Sequence, residues 1–304
     1  MIKRVSRKKL DVNKYTECLN KSVNYRIYAE VFYLDALVEN NWDCYVLNDY
    51  EAIMPLPYTK KIGIKFITQP IYCQQLGVFH QENFSKETFQ LFEKKLHRNL
   101  VRAYAFNEEN TEIFEPKGIK RVNQILDIRQ SFNIIFENTL KDRKKDFRRN
   151  DVEELKIIKE TNIYKFIEIQ QSNHSFTEKL DLNLFQNFLT NNSISNHLIQ
   201  FTLNTKDDKT LCSALVLQAK KRIILLSSAR NKNIETKGGF AYLIYKIIEH
   251  FSGNQYIFDF EGSNLEGVNK FNKSYNAKIN MYTTYCNLSF KKNIFLSNNN
   301  FLIL

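Results

Sequence analysis

Two acidic side chains one residue apart, Asp259 and Glu261, stand in the run Phe258-Asp-Phe-Glu-Gly262. Alternation with phenylalanine reads as a strand, on which every second side chain shares a face. Two carboxylates held together raise the pKa of one of them, and such a group can take the proton from an amine nucleophile. The plainer reading leaves one acid in solvent and uses the other to cap the next helix. Lys273 and Tyr275 follow in Phe271-Asn-Lys-Ser-Tyr275, on an expected helix beside the strand end. There an ammonium or a phenol can orient an acyl carbonyl or an acceptor, while Phe271 reads as core.

Lys237, Gly238, Gly239 and Phe240 lie between an apolar strand (222–229) and an amphipathic helix (240–251). A glycine pair there lets backbone N–H groups approach an anion at the positive end of a helix, which suits a pyrophosphate. The same glycines also suit a plain helix-entry turn. In the first half, Gln69, Tyr72, Gln74 and Gln75 cluster after a strand. Amides and a phenol donate and accept in fixed directions, so the group fits a neutral polar acceptor such as a sugar or peptide. A loop tied by its own hydrogen bonds explains it equally.

Six cations fall within nine residues at Lys141, Arg143, Lys144, Lys145, Arg148 and Arg149. On a helix they cover more than one face, so they suit tRNA phosphates or a solvated surface. No aromatic RNA-binding strand accompanies them. The five histidines, His80, His97, His174, His197 and His250, show no metal-ligand spacing, so no metal is expected. Neither a Gly-x-Ser-x-Gly elbow nor a phosphate-binding Gly-Lys-Ser/Thr loop is present.

These groups need a scaffold, and the second half spells one out. A short strand (155–159) precedes helices over 164–172 and 181–190, the latter with Asp181 as its N-cap. Three strands then form a meander over 197–203, 211–219 and 222–229, turning at 206–209 and at Lys220-Lys221. The glycine turn, a helix, a strand (256–260), a helix and a last strand (280–288) complete it. The first half reads as a helix over 23–37, a hairpin from 42–55, strands over 65–71 and 122–128, and an amphipathic helix over 86–100. This is an α/β order with a mixed, mostly antiparallel sheet.

The 304 residues suffice for two domains, and 24 Phe with 16 Tyr can fill real cores. A net charge of +11 suits an anionic partner, such as RNA, a nucleotide-bearing cofactor or a phospholipid surface, or simply a basic solvated exterior. Five scattered cysteines without a C-x-x-C pair, a basic but not apolar N-terminus, and no run of about 20 apolar residues make a cytoplasmic protein the expectation.

Residues 150–285 resemble the GNAT fold, and the two-domain length is similar to that of the Fem-like transferases, which carry tandem GNAT domains. The resemblance rests on Phe258-Asp-Phe-Glu-Gly-Ser263 and Gly267-Val-Asn-Lys-Phe-Asn-Lys-Ser-Tyr-Asn276. In the first half it rests on Asp49-Tyr-Glu-Ala-Ile-Met-Pro-Leu-Pro57 and Gln69-Pro-Ile-Tyr-Cys-Gln-Gln-Leu-Gly-Val78. It implies two tandem GNAT-like domains, 1–140 and 141–304, with the tail 286–304 packing back on the first. It also implies acyl transfer from acetyl-CoA or another acyl-CoA to an amine on a small molecule, sugar or peptide. The alternatives are aminoacyl transfer from charged tRNA and a GNAT-shaped binding module without catalysis. Two positions depart from the families' patterns. Glu235 stands where the CoA turn has Arg or Gln, and Asn272 stands where Fem-type enzymes carry a lysine.

Overall fold

In the computed structural model, residues 1–151, 155–159, 162–171, 182–234, 236–262 and 264–288 are described. The expected N-cap Asp181, together with Glu235, Ser263 and the tail beyond 288, lies outside them. The chain divides into two units, Met1–Val122 with the segment from Asn280, and Asn123–Ile279.

In the first unit, strands β1 (Ile2–Ser6), β2 (Trp42–Leu47), β3 (Ala52–Lys61), β4 (Ile64–Ile67), β5 (Phe79–His80) and β6 (Leu100–Val101) form one sheet. Its order is β1-β2-β3-β4-β6, with β5 on β3. The expected hairpin is β2–β3, turning at residues 48–51. Helix Lys86–His97 is capped by Ser85, whose hydroxyl accepts from the Thr88 N–H. It buries Phe89, Phe92 and Leu96, and Phe89 stacks on Phe114 with centroids 4.5 Å apart.

Two features differ from the sequence reading. The basic N-terminus holds β1 and the helix Val12–Lys21, whose polar surface hides the narrow stripe of Tyr15, Cys18 and Leu19. The helix expected over 23–37 starts only at Val31. Upstream, Asn24 donates to the Val78 carbonyl (2.8 Å), and Arg26 pairs with Glu108 and Glu109 at 3.0 and 2.6 Å. These bonds hold Arg26 extended, at φ −136° and ψ 135°, before the short 3₁₀ turn Ile27–Ala29.

The second unit contains most of the sheet that carries the candidate chemistry. Strand β7 (Tyr104–Phe106) belongs to the first unit, and β8 (Ile119–Asp127) carries the chain into the second. Then come β9 (Lys156–Lys159), β10 (Leu198–Asn204), β11 (Thr210–Ala219), β12 (Arg222–Arg230), β13 (Ile257–Asp259) and β14 (Lys278–Tyr285). The order β8-β13-β12-β11-β10-β9 runs across this unit. All neighbours are antiparallel except β12 and β13, which are parallel. A parallel pair needs a crossover, here the helix Gly239–Phe251. That helix buries Leu243, Ile244, Ile247 and Ile248 in the same core as Phe201, Leu203 and Val216. Within the first unit, β14 pairs with β7, and Asn287 donates to the His97 and Asn99 carbonyls.

Candidate active site

The parallel pairing of β12 with β13 stops at Ile224 opposite Asp259. Beyond that point the two strands part at their carboxyl ends, the place where open α/β sheets put their ligands. A bulge marks the same stretch of β12. Leu215 faces Ser227 and Val216 faces Leu225, so Leu226 is an extra residue. Because the register with β13 ends at Ile224, residues 225–229 extend beyond the ladder on that side. Gln170 steadies the far end by donating to the Ser228 carbonyl (2.7 Å).

Where β12 ends, a pocket of about 600 Å³ opens against the start of the Gly239–Phe251 helix. Lys237, Gly238, Gly239 and Phe240 all line it, so the glycine turn is brought together as one surface. Gly238 takes the N-cap position at φ 81°, a left-handed conformation, and offers no side chain to shield the first-turn N–H groups. The lining carries four cations, Arg143, Arg230, Lys232 and Lys237, against one carboxylate, Asp146. Arg143 and Arg149 already hold that carboxylate, at 2.9 and 3.4 Å.

One wall is layered. The Arg230 guanidinium lies 4.4 Å from the centroid of the Phe240 ring. Phe240 stacks on Phe271 at 5.5 Å and 25°, and Arg143 sits 5.4 Å from the centroid of the Phe271 ring. Each ring thus has a guanidinium within cation–π distance. Crowding by protein lowers the Arg230 pKa from its ordinary value, and the like charge of Arg143 adds to this. An anion in the pocket relieves that repulsion.

The charged helix Lys141–Asp151 is a wall of this pocket. Arg143 and Asp146 face the lining, and Asn150 donates to the Lys237 carbonyl (3.1 Å). Lys141, Lys145 and Arg148 point to solvent. Asp146, Arg230, Lys232 and Phe271 were absent from the expected site, and Arg143 was expected only within the charge run. Arg230 had a readable signal, as the cation that closes the strand before the glycine turn. Nothing in the sequence placed Arg143 or Asp146 beside the glycine turn, because only the fold brings residues about ninety positions apart together.

Asp259 and Glu261 are also close, but not as two carboxylates on one strand face. β13 ends at Asp259, and Glu261 follows in a left-handed conformation at φ 51°. Asp259 is buried and pairs with Arg222, and it accepts from the Glu261 backbone N–H (2.9 Å) and the Asn123 amide (3.1 Å). It therefore sets the chain direction at the strand end. Glu261, 3 % exposed, stands where β12 and β13 have separated.

Comparison with known proteins bears on this arrangement. No protein-family model and no curated protein matches the sequence. Solved structures do match in fold. FemX superposes with a TM-score of 0.67 at 9% identity, covering 97% of this chain and 99% of that one. The fold is Fem-like. L-PGS from Bacillus licheniformis gives 0.56 at 11% identity, over 96% of this chain and 97% of that chain. A conserved protein of unknown function from Bacteroides thetaiotaomicron gives 0.58 at 10%, over 94% and 99%.

On this Fem-like fold the short helix Glu266–Lys273 separates three neighbouring residues. Phe271 lines the pocket, Asn272 points inward and donates to the Gln124 amide oxygen (2.9 Å), and Lys273 is exposed. The position at which the Fem-type pattern has lysine is thus a buried amide. Tyr275 lies past the helix, fully buried, with its hydroxyl donating to the Ala241 carbonyl (2.9 Å). Burial pushes its phenol well above the ordinary range, against the opposing pull of Arg143.

The first-unit cluster is bound into its own loop. Gln69 donates to the Cys73 carbonyl and accepts from the Ala105 N–H, and Gln75 accepts from the Glu108 N–H and donates to Gln74. Tyr72, at φ 63°, offers its carbonyl to the Tyr33 hydroxyl. Among the described residues no group of His, Cys, Asp and Glu gathers as a metal site requires, and no helix is long and apolar enough to cross a membrane.

Proposed function

We infer that this protein is an acyltransferase that moves an acyl or aminoacyl group from a phosphate-bearing donor to an amine. The pocket at the Gly239–Phe251 helix start carries this reading, because its cations, glycine turn and helix end all favour an anion. The donor's phosphates would sit against Lys237, Gly238, Gly239 and Phe240, with Arg143 and Arg230 as their counter-charges. Its carbonyl would then reach the gap where β12 and β13 part.

In the reaction the amine nitrogen bonds to the carbonyl carbon, and the C–S bond of a thioester or the C–O bond of an ester breaks. Backbone N–H groups of β12 beyond the end of its pairing with β13 would hold the developing oxyanion. Glu261 is the proposed acceptor of the amine proton, which passes on to the leaving thiolate or alkoxide. Asp259 is a positioning residue, since it fixes the Glu261 backbone. No covalent enzyme intermediate is needed.

An acyl-CoA is the first donor to test, and charged tRNA the second. The exposed Lys141, Lys145 and Arg148 beside the pocket favour the latter, because a long polyanion extends beyond a 600 Å³ site. A transfer assay with labelled acetyl-CoA and with aminoacyl-tRNA, against a panel of amines, tests the reading. Glu261→Gln is expected to lower kcat by about a hundredfold while leaving donor binding in place. Unchanged turnover in that variant would remove Glu261 as the base. Absence of transfer from either donor would leave a binding module.

A further inference from the structure

The β3–β4 hairpin carries an apolar tip that stays exposed among the described residues. Its register pairs Lys61 with Ile64 and Lys60 with Lys65, so Ile62-Gly63 is a two-residue turn. Both turn residues have positive φ, 51° and 73°, the backbone of a type I′ hairpin. Such a turn prefers Asn or Asp followed by Gly, and a β-branched side chain is strained at its first position. Ile62 is nevertheless there, and it is 92 % exposed, more than the terminal Met1 at 76 % or any other large apolar side chain described. Ile64, across the turn, is 52 % exposed. No protein atom comes within 4 Å of where a Cβ on Gly63 would project, so the tip stands clear of its unit.

Scattered exposed isoleucines are ordinary on protein surfaces. This one combines backbone strain, near-complete exposure and a basic surround. Lys60 and Lys61 are exposed just below the tip. Lys65 lies 4.1 Å from the centroid of the Tyr58 ring, and Arg102 lies 4.5 Å from that of Phe66. Residues 58–68 contain three lysines and no acid. The adjoining Asp43 is already shared between Arg4 and Lys65, at 2.8 Å to each. An apolar point with aromatic and basic residues behind it matches the layering of an anionic bilayer, whose hydrocarbon lies beneath negative headgroups.

We propose that the Ile62-Gly63 hairpin tip inserts into the surface of an anionic phospholipid membrane, with Lys60 and Lys61 contacting the headgroups. Such contact places the protein at the membrane surface without a spanning segment. It is independent of the pocket and of the chemistry proposed there.

Vesicle flotation of the full chain tests this, using phosphatidylcholine vesicles with and without phosphatidylglycerol at about 0.1 M salt. The chain is expected to float with the anionic vesicles and to stay behind with the neutral ones. Ile62→Asn suits the turn better than isoleucine and so keeps the fold. It is expected to lower partitioning about tenfold, with no loss in thermal midpoint. The double change Lys60→Glu with Lys61→Glu is expected to abolish the salt-sensitive part. An Ile62→Trp probe should shift to the blue with anionic vesicles, above the steady signal of the buried native Trp42.

Failure to float with either vesicle, or Ile62→Asn floating like the parent, would overturn the proposal. Equal binding to neutral vesicles would overturn the role of the basic collar. A dimer in sedimentation that Ile62→Asn dissolves, with no vesicle binding, would assign the tip to a second copy of the chain and likewise refute it.

Discussion

An ideal Cβ built on Gly238 would lie 2.6 Å from the Asp146 carboxyl carbon, on a backbone already at φ 81°. Gly238→Ala must therefore move Asp146 and strain the turn, at a cost of about 1–3 kcal/mol, read as a lower urea midpoint. Asp146→Gly takes away both the carboxyl group and the Cβ that stands 2.7 Å from the same point, so in that background Gly238→Ala should cost less, leaving the strain. If Gly238→Ala costs as much beside Asp146→Gly as it does in the parent, the packing described for the turn is wrong. Arg222 offers a second test, because its pair with Asp259 is buried. Arg222→Leu leaves that carboxylate uncompensated and is expected to cost about 3–5 kcal/mol, whereas Lys273→Ala, at an exposed position, should stay within about 0.5 kcal/mol. Equal effects would contradict the placement of the two side chains.

At the scale of elements, the second-unit meander was legible because β10, β11 and β12 are strand-length, mostly apolar runs separated by charged turns. The glycine turn was legible too, since glycine has few other uses between a strand and a helix. The acid pair was half legible. Alternation with Phe258 and Phe260 placed Asp259 in the strand, but the left-handed break at Glu261 depends on its N–H bonding back to Asp259. Phe271 read as core because an isolated aromatic carries no sign that a guanidinium will cover it. The Lys141–Asp151 helix was visible as a charge run, yet the face turned toward the pocket is fixed by the Lys237 carbonyl. One consequence is measurable through Cys212, which lines the pocket. Burial pushes its thiol up to about 12, so it should resist iodoacetamide at pH 8 while the exposed Cys286 reacts first. Prompt labelling of Cys212 would mean that the pocket opens more widely than described.

Across the whole molecule, buried groups set an alkaline limit. Burial raises the thiols of Cys18 and Cys212 to about 12 from about 9, and the phenol of Tyr245 to about 12 from about 10. In the unfolded chain they ionise from about pH 9 upward. In the folded chain they stay protonated. The stability they contribute is whole below the unfolded values and is lost as pH rises toward 12. The urea midpoint should accordingly fall between pH 8 and pH 10.5, and a flat profile would contradict their burial.

The central claim is that the pocket at the Gly239–Phe251 helix start binds a phosphate-bearing acyl donor. Calorimetric titration of the protein and of Arg230→Ala with CoA and acetyl-CoA tests it most directly. Saturable micromolar binding, weakened about tenfold or more by Arg230→Ala and by added salt, is the predicted result. Binding that ignores Arg230, or no binding of CoA, acetyl-CoA or aminoacyl-tRNA, would contradict it.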